Sequence, residues 1–208
     1  TISNHTGYRI DVLPQSGSVF FPMFQTQEAD IGIASPVEAK LAYDAEGPFD
    51  GANGGDGYSM RTLMLGSVNR LSLVTREDDD INSIEELRDR RVVANYGAFA
   101  GSTKTALAAL ASAGLTEDDV DVVPVSSYPE GVRADAAVGS VGSGILQELD
   151  AAHGARLLPI HTDKAAVKRL QEVGPAFVPL EVDAGPVGIA ERTPVLSYQT
   201  TLYTRPDL

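Results

Sequence analysis

The sequence contains no cysteine, which excludes disulfide bonds and thiol catalysis. Basic residues are also few, because 16 Lys and Arg stand against 29 Asp and Glu, for a formal net charge of −13. An acidic surface repels phosphate backbones, so we expect no nucleic-acid partner. No apolar run approaches the roughly 20 residues that a membrane-spanning helix needs, so we also expect no direct membrane insertion.

Recognisable catalytic and metal-binding patterns are missing as well. The three histidines share no metal-ligand spacing, and the acidic run 77–80 lacks a regular pattern of oxygen ligands. No G-x-S-x-G elbow surrounds a serine. Residues 97–103 superficially resemble a phosphate loop, but Lys104 follows the Ser-Thr pair instead of preceding it. We therefore predict no catalytic residues, no metal and no cofactor.

The chain does contain an alternation of short apolar runs and helical segments. We predict strands at 8–13, 31–34, 62–65, 71–76, from Val92, 120–125, 134–138 and 156–160, with a return strand near 194–205. We predict helices at 18–26, 36–44, 83–90, 102–113, 143–152 and 164–173. Such alternation is typical of mostly parallel sheets covered by helices. The segment 126–133 is short for a parallel crossover.

The most informative stretch is 92–103, where an apolar strand breaks into small residues and then starts a helix. Backbone N–H groups at such a junction point at whatever anion lies in front of it. We therefore predict that Gly101, Ser102 and Thr103 hold a carboxylate, aided by the helix dipole. The alternative is an ordinary helix start, for which Ser102 is the expected cap.

Further candidate ligand-binding residues lie at other helix starts, at strand ends or near the expected crossing between lobes. They are Ser16, Gly17, Ser18, Ser35, Ser67, Arg70, Asn95, Tyr96, Phe99, Ala100, Ser140 and Gly142. Each has a structural alternative: helix capping for the serines before helices, packing for Tyr96, and a surface ion pair for Arg70. The two interpretations stay open for each residue.

Several pieces of the sequence together resemble one known family. In chain order they are Gln27-Glu-Ala-Asp-Ile-Gly-Ile-Ala34, Tyr43-Asp-Ala-Glu-Gly-Pro-Phe49, Arg91-Val-Val93, Ala98-Phe-Ala-Gly-Ser-Thr103, Ala113-Gly-Leu-Thr-Glu-Asp-Asp-Val120, Arg156-Leu-Leu-Pro-Ile160 and Thr193-Pro-Val-Leu-Ser-Tyr198. Their order is similar to that of the TAXI family of substrate-binding proteins, which serve TRAP transporters. The resemblance covers most of the chain.

The resemblance implies an α/β, bilobal, periplasmic-binding-protein-like fold of type II, with two mostly parallel sheets, flanking helices and a ligand cleft between the lobes. Residues 1–76 and 194–208 would form lobe 1, and 77–193 would form lobe 2. The implied protein is a periplasmic or extracytoplasmic receptor, its signal peptide removed, and not an enzyme. It would bind a small organic anion, such as glutamate or a dicarboxylate, and deliver it to the TRAP transporter membrane subunits.

Departures from the family pattern limit what carries over. Where relatives have a Pro-Gly-Ser-Gly-Thr turn, this chain has Ala98-Phe-Ala-Gly-Ser102, so we expect Phe99 to reshape the pocket. From the family pattern, we also expect the usual first strand to precede this sequence and the usual carboxy-terminal helices to follow it. Two other functions remain open: a small-molecule enzyme on the same bilobal fold, such as a transferase or dehydratase, and a sensor module of a signalling protein.

Overall fold

The computed structural model describes residues 2–125 and 134–208, in which helices alternate with strands. The helices are α1 (Ile2–Thr6), α2 (Gly17–Gln25), α3 (Pro36–Asp44), α4 (Ala100–Ser112), α5 (Gly144–His153) and α6 (Lys164–Val173). The strands are β1 (Ile31–Ala34), β2 (Arg61–Thr75), β3 (Arg91–Asn95), β4 (Asp121–Pro124), β5 (Ala137–Ser140), β6 (Arg156–Leu157), β7 (Val178–Val182) and β8 (Thr193–Thr204). Among the helices of these residues, none has the length and apolarity needed to cross a bilayer.

Two long strands, β2 and β8, run antiparallel along most of their lengths. Their register extends from the pair Arg61 and Thr204 to the pair Leu71 and Leu196, with two register shifts. β1 and β7 pair with β8, and β5 and β6 pair with β2, which completes a six-stranded sheet. β3 and β4 form a separate parallel pair. The long strands therefore connect elements that lie far apart in the chain.

The α/β class is confirmed, but the strand directions differ from the mostly parallel sheets that we predicted. All pairs of the six-stranded sheet are antiparallel, and each includes β2 or β8. Parallel contacts join β3 to β4, and Val92 to Ala136 just before β5. Antiparallel neighbours need no helical crossover. The two long strands can therefore supply most of the sheet without one.

Buried apolar side chains form three clusters. An aromatic cluster covers α2, α3 and the end of β8, and its Phe21 and Phe49 rings meet edge to face at 5.7 Å. The largest cluster lies around α4, α6 and β3, and the third lies between α5 and strands β2, β6 and β8. Val37 of α3 belongs to the largest cluster, whereas Ala100 of α4 belongs to the aromatic one. The first turns of α3 and α4 therefore each contribute a side chain to the cluster that lies mainly on the other side of their contact.

Two strand predictions are wrong. Residues 8–13 form no strand, since Tyr8 and Val12 are 76% and 79% exposed and no described strand pairs with the segment. The strands predicted at 62–65 and 71–76 are one continuous strand, because β8 pairs with both parts. Register shifts within β2 absorb the irregular stretch that separates the two apolar runs.

Two further predictions, and one strand that was not predicted, complete the comparison. The helix predicted at 83–90 is only a 3₁₀ turn at Glu85–Leu87, and Asp89 then adopts a left-handed φ of 61°. Strand β7 was not predicted, although it pairs with β8 over five residues. The short crossover predicted at 126–133 lies outside the described residues.

Candidate functional site

The first turns of α2, α3 and α4 meet at one place. Ser18 Oγ donates a hydrogen bond to the Ala98 carbonyl oxygen at 3.4 Å, which joins the start of α2 to the turn before α4. A Cβ atom at Gly101 would lie 3.0 Å from Ser35 Oγ, so the start of α4 lies against the start of α3. The meeting point places the positive ends of three helix dipoles together.

The Ser102 and Thr103 amides, predicted to hold a carboxylate, instead donate to the Phe99 carbonyl oxygen at 3.0 and 3.2 Å. Of the three residues predicted there, Gly101 is the one that stays a candidate donor.

At the start of α2, the serines leave the helix amides uncapped by side chains. Ser16 occupies the N-cap position in an extended conformation, but its side chain makes no capping hydrogen bond. Its Oγ lies 2.9 Å from Ser18 Oγ instead. Gly17 between them has no side chain, and the Glu38 carboxyl group occupies the place where its Cβ atom would lie. The geometry suits a ligand that accepts hydrogen bonds from this turn.

At the start of α3, the capping role proposed as the alternative for Ser35 is confirmed. Ser35 Oγ accepts a hydrogen bond from the Glu38 amide at 3.1 Å. Pro36 follows at the first helical position, where a missing N–H costs nothing. Ser35 is therefore both a helix cap and a neighbour of Gly101.

At the start of α4, the predicted cap is wrong. The helix begins at Ala100 with Phe99 at the N-cap position, so Ser102 lies inside the first turn. Thr103 fixes the turn instead, because its Oγ1 accepts a hydrogen bond from the Tyr96 amide at 2.9 Å. Phe99 remains 37% exposed at the edge of the meeting point. The hydrogen bond between Tyr96 and Thr103 therefore fixes the small-residue turn, while the Phe99 ring is partly exposed to solvent.

Glu38 is the residue of this site that the sequence analysis missed. A Cβ atom at Gly17 would lie 2.4 Å from Glu38 Cδ, so the carboxyl group rests directly on the glycine. Glu38 Oε1 is buried and has no hydrogen-bond partner among the described residues. Burial raises the pKa of Glu38 to about 7, because loss of water penalises the charged form.

A sequence signal for Glu38 existed but predicts a different contact. Ser35-Pro-Val-Glu38 has the S-x-x-E spacing of a capping box, in which the glutamate side chain returns to the cap amide. The structure shows the serine half of that arrangement. The carboxyl group is turned toward Gly17 instead. The sequence around Glu38 could not predict the direction of its side chain, because the contacting residue, Gly17, belongs to another helix.

The carboxyl ends of β3 and β5 lie at the same edge, because Val92 and Ala136 form a parallel bridge. At the end of β3, Asn95 Oδ1 accepts a hydrogen bond from the Gly97 amide at 3.1 Å. Tyr96 is buried, and its hydroxyl accepts a hydrogen bond from the Val138 amide at 2.6 Å. The side chain of Tyr96 is therefore packed in the interior, which is the structural alternative given for it in the sequence analysis.

Four predicted residues lie apart from the three helix starts. Ser140 pairs with Leu71 of β2 and lines a cavity of about 300 Å³ between β5 and α5. Gly142 follows in a left-handed turn with φ 83°. The Arg70 carbonyl accepts a hydrogen bond from the Val141 amide at 2.9 Å, which places exposed Arg70 beside that turn.

Ser67 is exposed on β2. No recorded contact in the described ranges joins Ser67, Arg70, Ser140 or Gly142 to α2, α3 or α4 by a side-chain hydrogen bond. The residues that contacts do bring together are those at the helix starts. They are Ser16, Gly17, Ser18, Ser35, Glu38, Ala98 and Gly101.

Charged partners and metal ligands are scarce around the helix starts. Within residues 2–125 and 134–208, no ion pair includes Glu38. The same residues contain no group of three or more His, Cys, Asp or Glu that could hold a metal ion. The electrostatics of the site therefore come from helix ends and one carboxyl group.

A sequence model of the NMT1-like family matches residues 3–208. No curated protein sequence matches the chain. Among solved structures, an arginine-bound mutant of ArgBP from T. maritima superposes with a TM-score of 0.53 at 13% identity, covering 99% of this chain and 73% of that one. The substrate-binding protein of an amino acid ABC transporter gives a TM-score of 0.54 at 12% identity, covering 99% and 70%.

The periplasmic aliphatic sulphonate binding protein SsuA from Escherichia coli is also similar. Its TM-score is 0.55 at 13% identity, covering 92% of this chain and 50% of that one. Identities this low show a shared fold and no more. The architecture of this chain is thus that of periplasmic binding proteins.

Proposed function

The chain belongs to the NMT1-like family, and from this premise we propose that it is an extracytoplasmic receptor for a small solute. It binds a small organic anion and delivers this ligand to a membrane transporter. The observation that carries this proposal is the meeting of the first turns of α2, α3 and α4. First-turn amides bind a carboxylate without any fully charged side chain. The periplasmic-binding-protein fold supports the same function.

The proposed receptor has two lobes, formed by residues 1–76 with 194–208 and by residues 77–193. The long strands β2 and β8 belong to lobe 1, and the chain passes to lobe 2 at the end of β2 and back at the start of β8, so the hinge lies at these two points. The buried cluster around Phe21 supports this division, because Ala100 is its one residue from lobe 2 among the described residues. In such a protein, ligand contacts to both lobes stabilise the closed state.

The transporter and ligand are the finer part of the proposal. The order of the sequence pieces supports membership of the TAXI group, and therefore delivery to TRAP transporter membrane subunits. Glutamate and dicarboxylates are the first ligands to test. The structural neighbours are named for an amino acid transporter and for sulphonate binding, and both ligand classes carry a small anionic group.

One observation favours an enzyme as the second candidate. A carboxyl group whose pKa lies near 7, as that of Glu38 does, is suited to accept and donate protons at neutral pH. Such perturbed groups are found in catalytic clefts as well as in binding sites. Turnover is the property that separates the two functions.

A thermal-shift screen of amino acids, dicarboxylates and alkanesulphonates, followed by mass spectrometry of the incubated compounds, tests the proposal. We expect at least one compound to raise the melting temperature saturably and to be recovered unchanged. Catalytic conversion over many cycles would contradict the receptor and support the enzyme. A panel in which no compound stabilises the protein would contradict the ligand class.

A further inference from the structure

The cavity between α5 and the strands β2 and β5 lies apart from the proposed anion site. Its volume is about 300 Å³, and its described lining includes Val74, Ile145, Leu146 and Leu149 but no residue of α2, α3 or α4. Voids in protein interiors are seldom larger than a water molecule. Ligand pockets begin at about this volume and are lined mainly by apolar side chains. The cavity therefore has the size and the lining of a ligand site.

The helix on one side of this cavity presents an apolar stripe to it. Ile145, Leu149 and Ala152 follow one another at four- and three-residue spacing, and all three line the cavity. Such a stripe normally packs against the core. Within α5, which the structure describes throughout, Leu146 is the only buried residue, and Ile145 is 46% exposed. The stripe therefore faces open space instead of protein.

Small residues of β5 leave this space open on the opposite side. A Cβ atom at Gly139 would lie 3.7 Å from Leu146 Cδ1, so Gly139 faces α5. Alternate residues of a strand point to the same side of the sheet, so Ala137 faces α5 as well. Ala137 pairs with Val74 of β2, and yet it is partly exposed. A hydrogen atom and a methyl group are too small to fill the gap beneath the helix.

The polar side chains around the cavity already have partners. Arg76 forms an ion pair with Asp79 at 3.2 Å, and Asp135 forms one with Arg91 at 3.2 Å. Ser143 Oγ accepts a hydrogen bond from the Leu146 amide as the cap of α5. In the described part of the chain, none of the buried side-chain atoms that lack a hydrogen-bond partner belongs to the lining. The cavity therefore offers a charged ligand no buried, unpaired group.

The cavity also reaches the protein surface. Glu148 and His153 line it, and both are exposed on α5, as Ile145 is. A molecule can therefore enter along this helix without crossing the core.

We propose that this cavity is a second binding site, which takes a small uncharged apolar molecule of about the size of two fused aromatic rings. An apolar cavity of about 150 Å³ binds benzene, and this one has about twice that volume. Burial of an unpaired charge is costly, so charged molecules of the same size are excluded. The inference goes beyond the proposed anion receptor and does not depend on it.

An amide NMR titration of the full chain with indole, which has two fused rings and no charge, tests the inference. Tryptamine and indole-3-acetate carry the same rings with a positive and a negative charge. We expect indole to cause saturable shifts that are largest at Ala137, Gly139, Ile145 and Leu149. We expect it to bind at least tenfold more tightly than either charged analogue.

Two neighbouring alanines of α5 provide matched variants. Both are exposed, but Ala152 lines the cavity and Ala151 is not among its described lining residues. Leucine at position 152 should occupy the space, so we expect Ala152→Leu to weaken indole binding at least fivefold. Ala151→Leu should bind indole as the wild-type protein does. Ala137→Leu fills the cavity from the strand side and should cause the same loss, and thermal melts verify that each variant folds.

The outcomes are distinct from those that test the receptor. Absence of saturable shifts with indole, largest shifts outside the cavity, or equal affinities of Ala152→Leu and Ala151→Leu would overturn the site. A charged analogue that binds as tightly as indole would overturn the ligand class. Displacement of indole by L-glutamate would show that both ligands share one site and would overturn the inference, whereas independent binding of the two supports it.

Discussion

The carboxyl group of Glu38 lies directly on Gly17 of the neighbouring helix. A Cβ atom at Gly17 would come within 2.4 Å of Glu38 Cδ and within 2.6 Å of its Oε1. Real Cβ atoms are not found at such distances, so any side chain at Gly17 displaces the carboxyl group. The contact links the start of α2 to that of α3, and our predictions follow from it and from its surroundings.

Substitution of Gly17 by alanine should weaken ligand binding with little loss of stability. The added methyl group displaces the flexible end of Glu38, while alanine itself favours the helix by up to about 1 kcal/mol. We expect at least a tenfold loss of affinity for an amino acid ligand, measured by calorimetry. Gly144→Ala is the matched control, because Gly144 also begins a helix and faces open space. Equal losses in both variants would contradict the prediction.

Glu38→Gln should make the stability of the ligand-free protein less dependent on pH. The pKa of Glu38 is raised to about 7 in the folded state, so the folded protein binds more protons than the unfolded one between about 4.5 and 7. Stability of the wild-type protein therefore falls as pH rises through this window. Between pH 5.5 and 8 we expect the variant to gain about 2 kcal/mol relative to the wild type, by denaturant unfolding.

The same experiment has an exposed control. Glu28→Gln should track the wild-type protein across the pH range, since Glu28 is exposed. A constant difference between Glu38→Gln and the wild-type protein at all pH values would show that the Glu38 carboxyl group is not desolvated.

Two serine caps allow the structural and binding roles of Ser35 to be separated. Ser35 Oγ caps α3 through the Glu38 amide at 3.1 Å, and Ser143 Oγ caps α5 through the Leu146 amide at 3.2 Å. Replacing either serine by alanine should cost about 1 kcal/mol of unfolding free energy. Only Ser35→Ala should also weaken ligand binding, because Ser35 lies against Gly101. If Ser35→Ala and Ser143→Ala bind the ligand with similar affinity, Ser35 has no role in binding and serves only as a helix cap.

Tyr96→Phe should destabilise the protein without changing which ligand it prefers. The variant loses the hydroxyl that accepts a hydrogen bond from the buried Val138 amide. An unsatisfied buried amide costs about 1–3 kcal/mol, and thermal or denaturant unfolding measures it. Tyr43→Phe, at an exposed tyrosine, should have no such effect. A changed ligand preference in Tyr96→Phe would restore Tyr96 to the binding site.

The start of a helix was predictable from the sequence where a residue that caps the helix directly precedes it. The bounds of α3 and α6 match the predictions of 36–44 and 164–173. Ser35 and Asp163 accept hydrogen bonds from the first turns of these helices, and both signals are local. Local signals also located the turn 98–103, although they predicted the wrong cap.

Strand pairing and side-chain direction were not predictable, because they depend on distant partners. The alternating run 8–13 has the pattern of a strand but no partner strand in the described ranges, while β2 is continuous because β8 pairs with it throughout. Likewise, the S-x-x-E spacing indicates a cap, whereas the room beside Gly17 decides where the Glu38 carboxyl group lies.

An amide NMR titration of the full chain with L-glutamate, and with any other compound that the thermal screen selects, tests the central claim most directly. The claim is that the ligand binds where α2, α3 and α4 begin. We predict that the largest shifts occur at the amides of Gly17, Ser18, Glu38 and Gly101. Largest shifts around Val138, Ile145 and Leu146, which line the cavity beside α5, would contradict it.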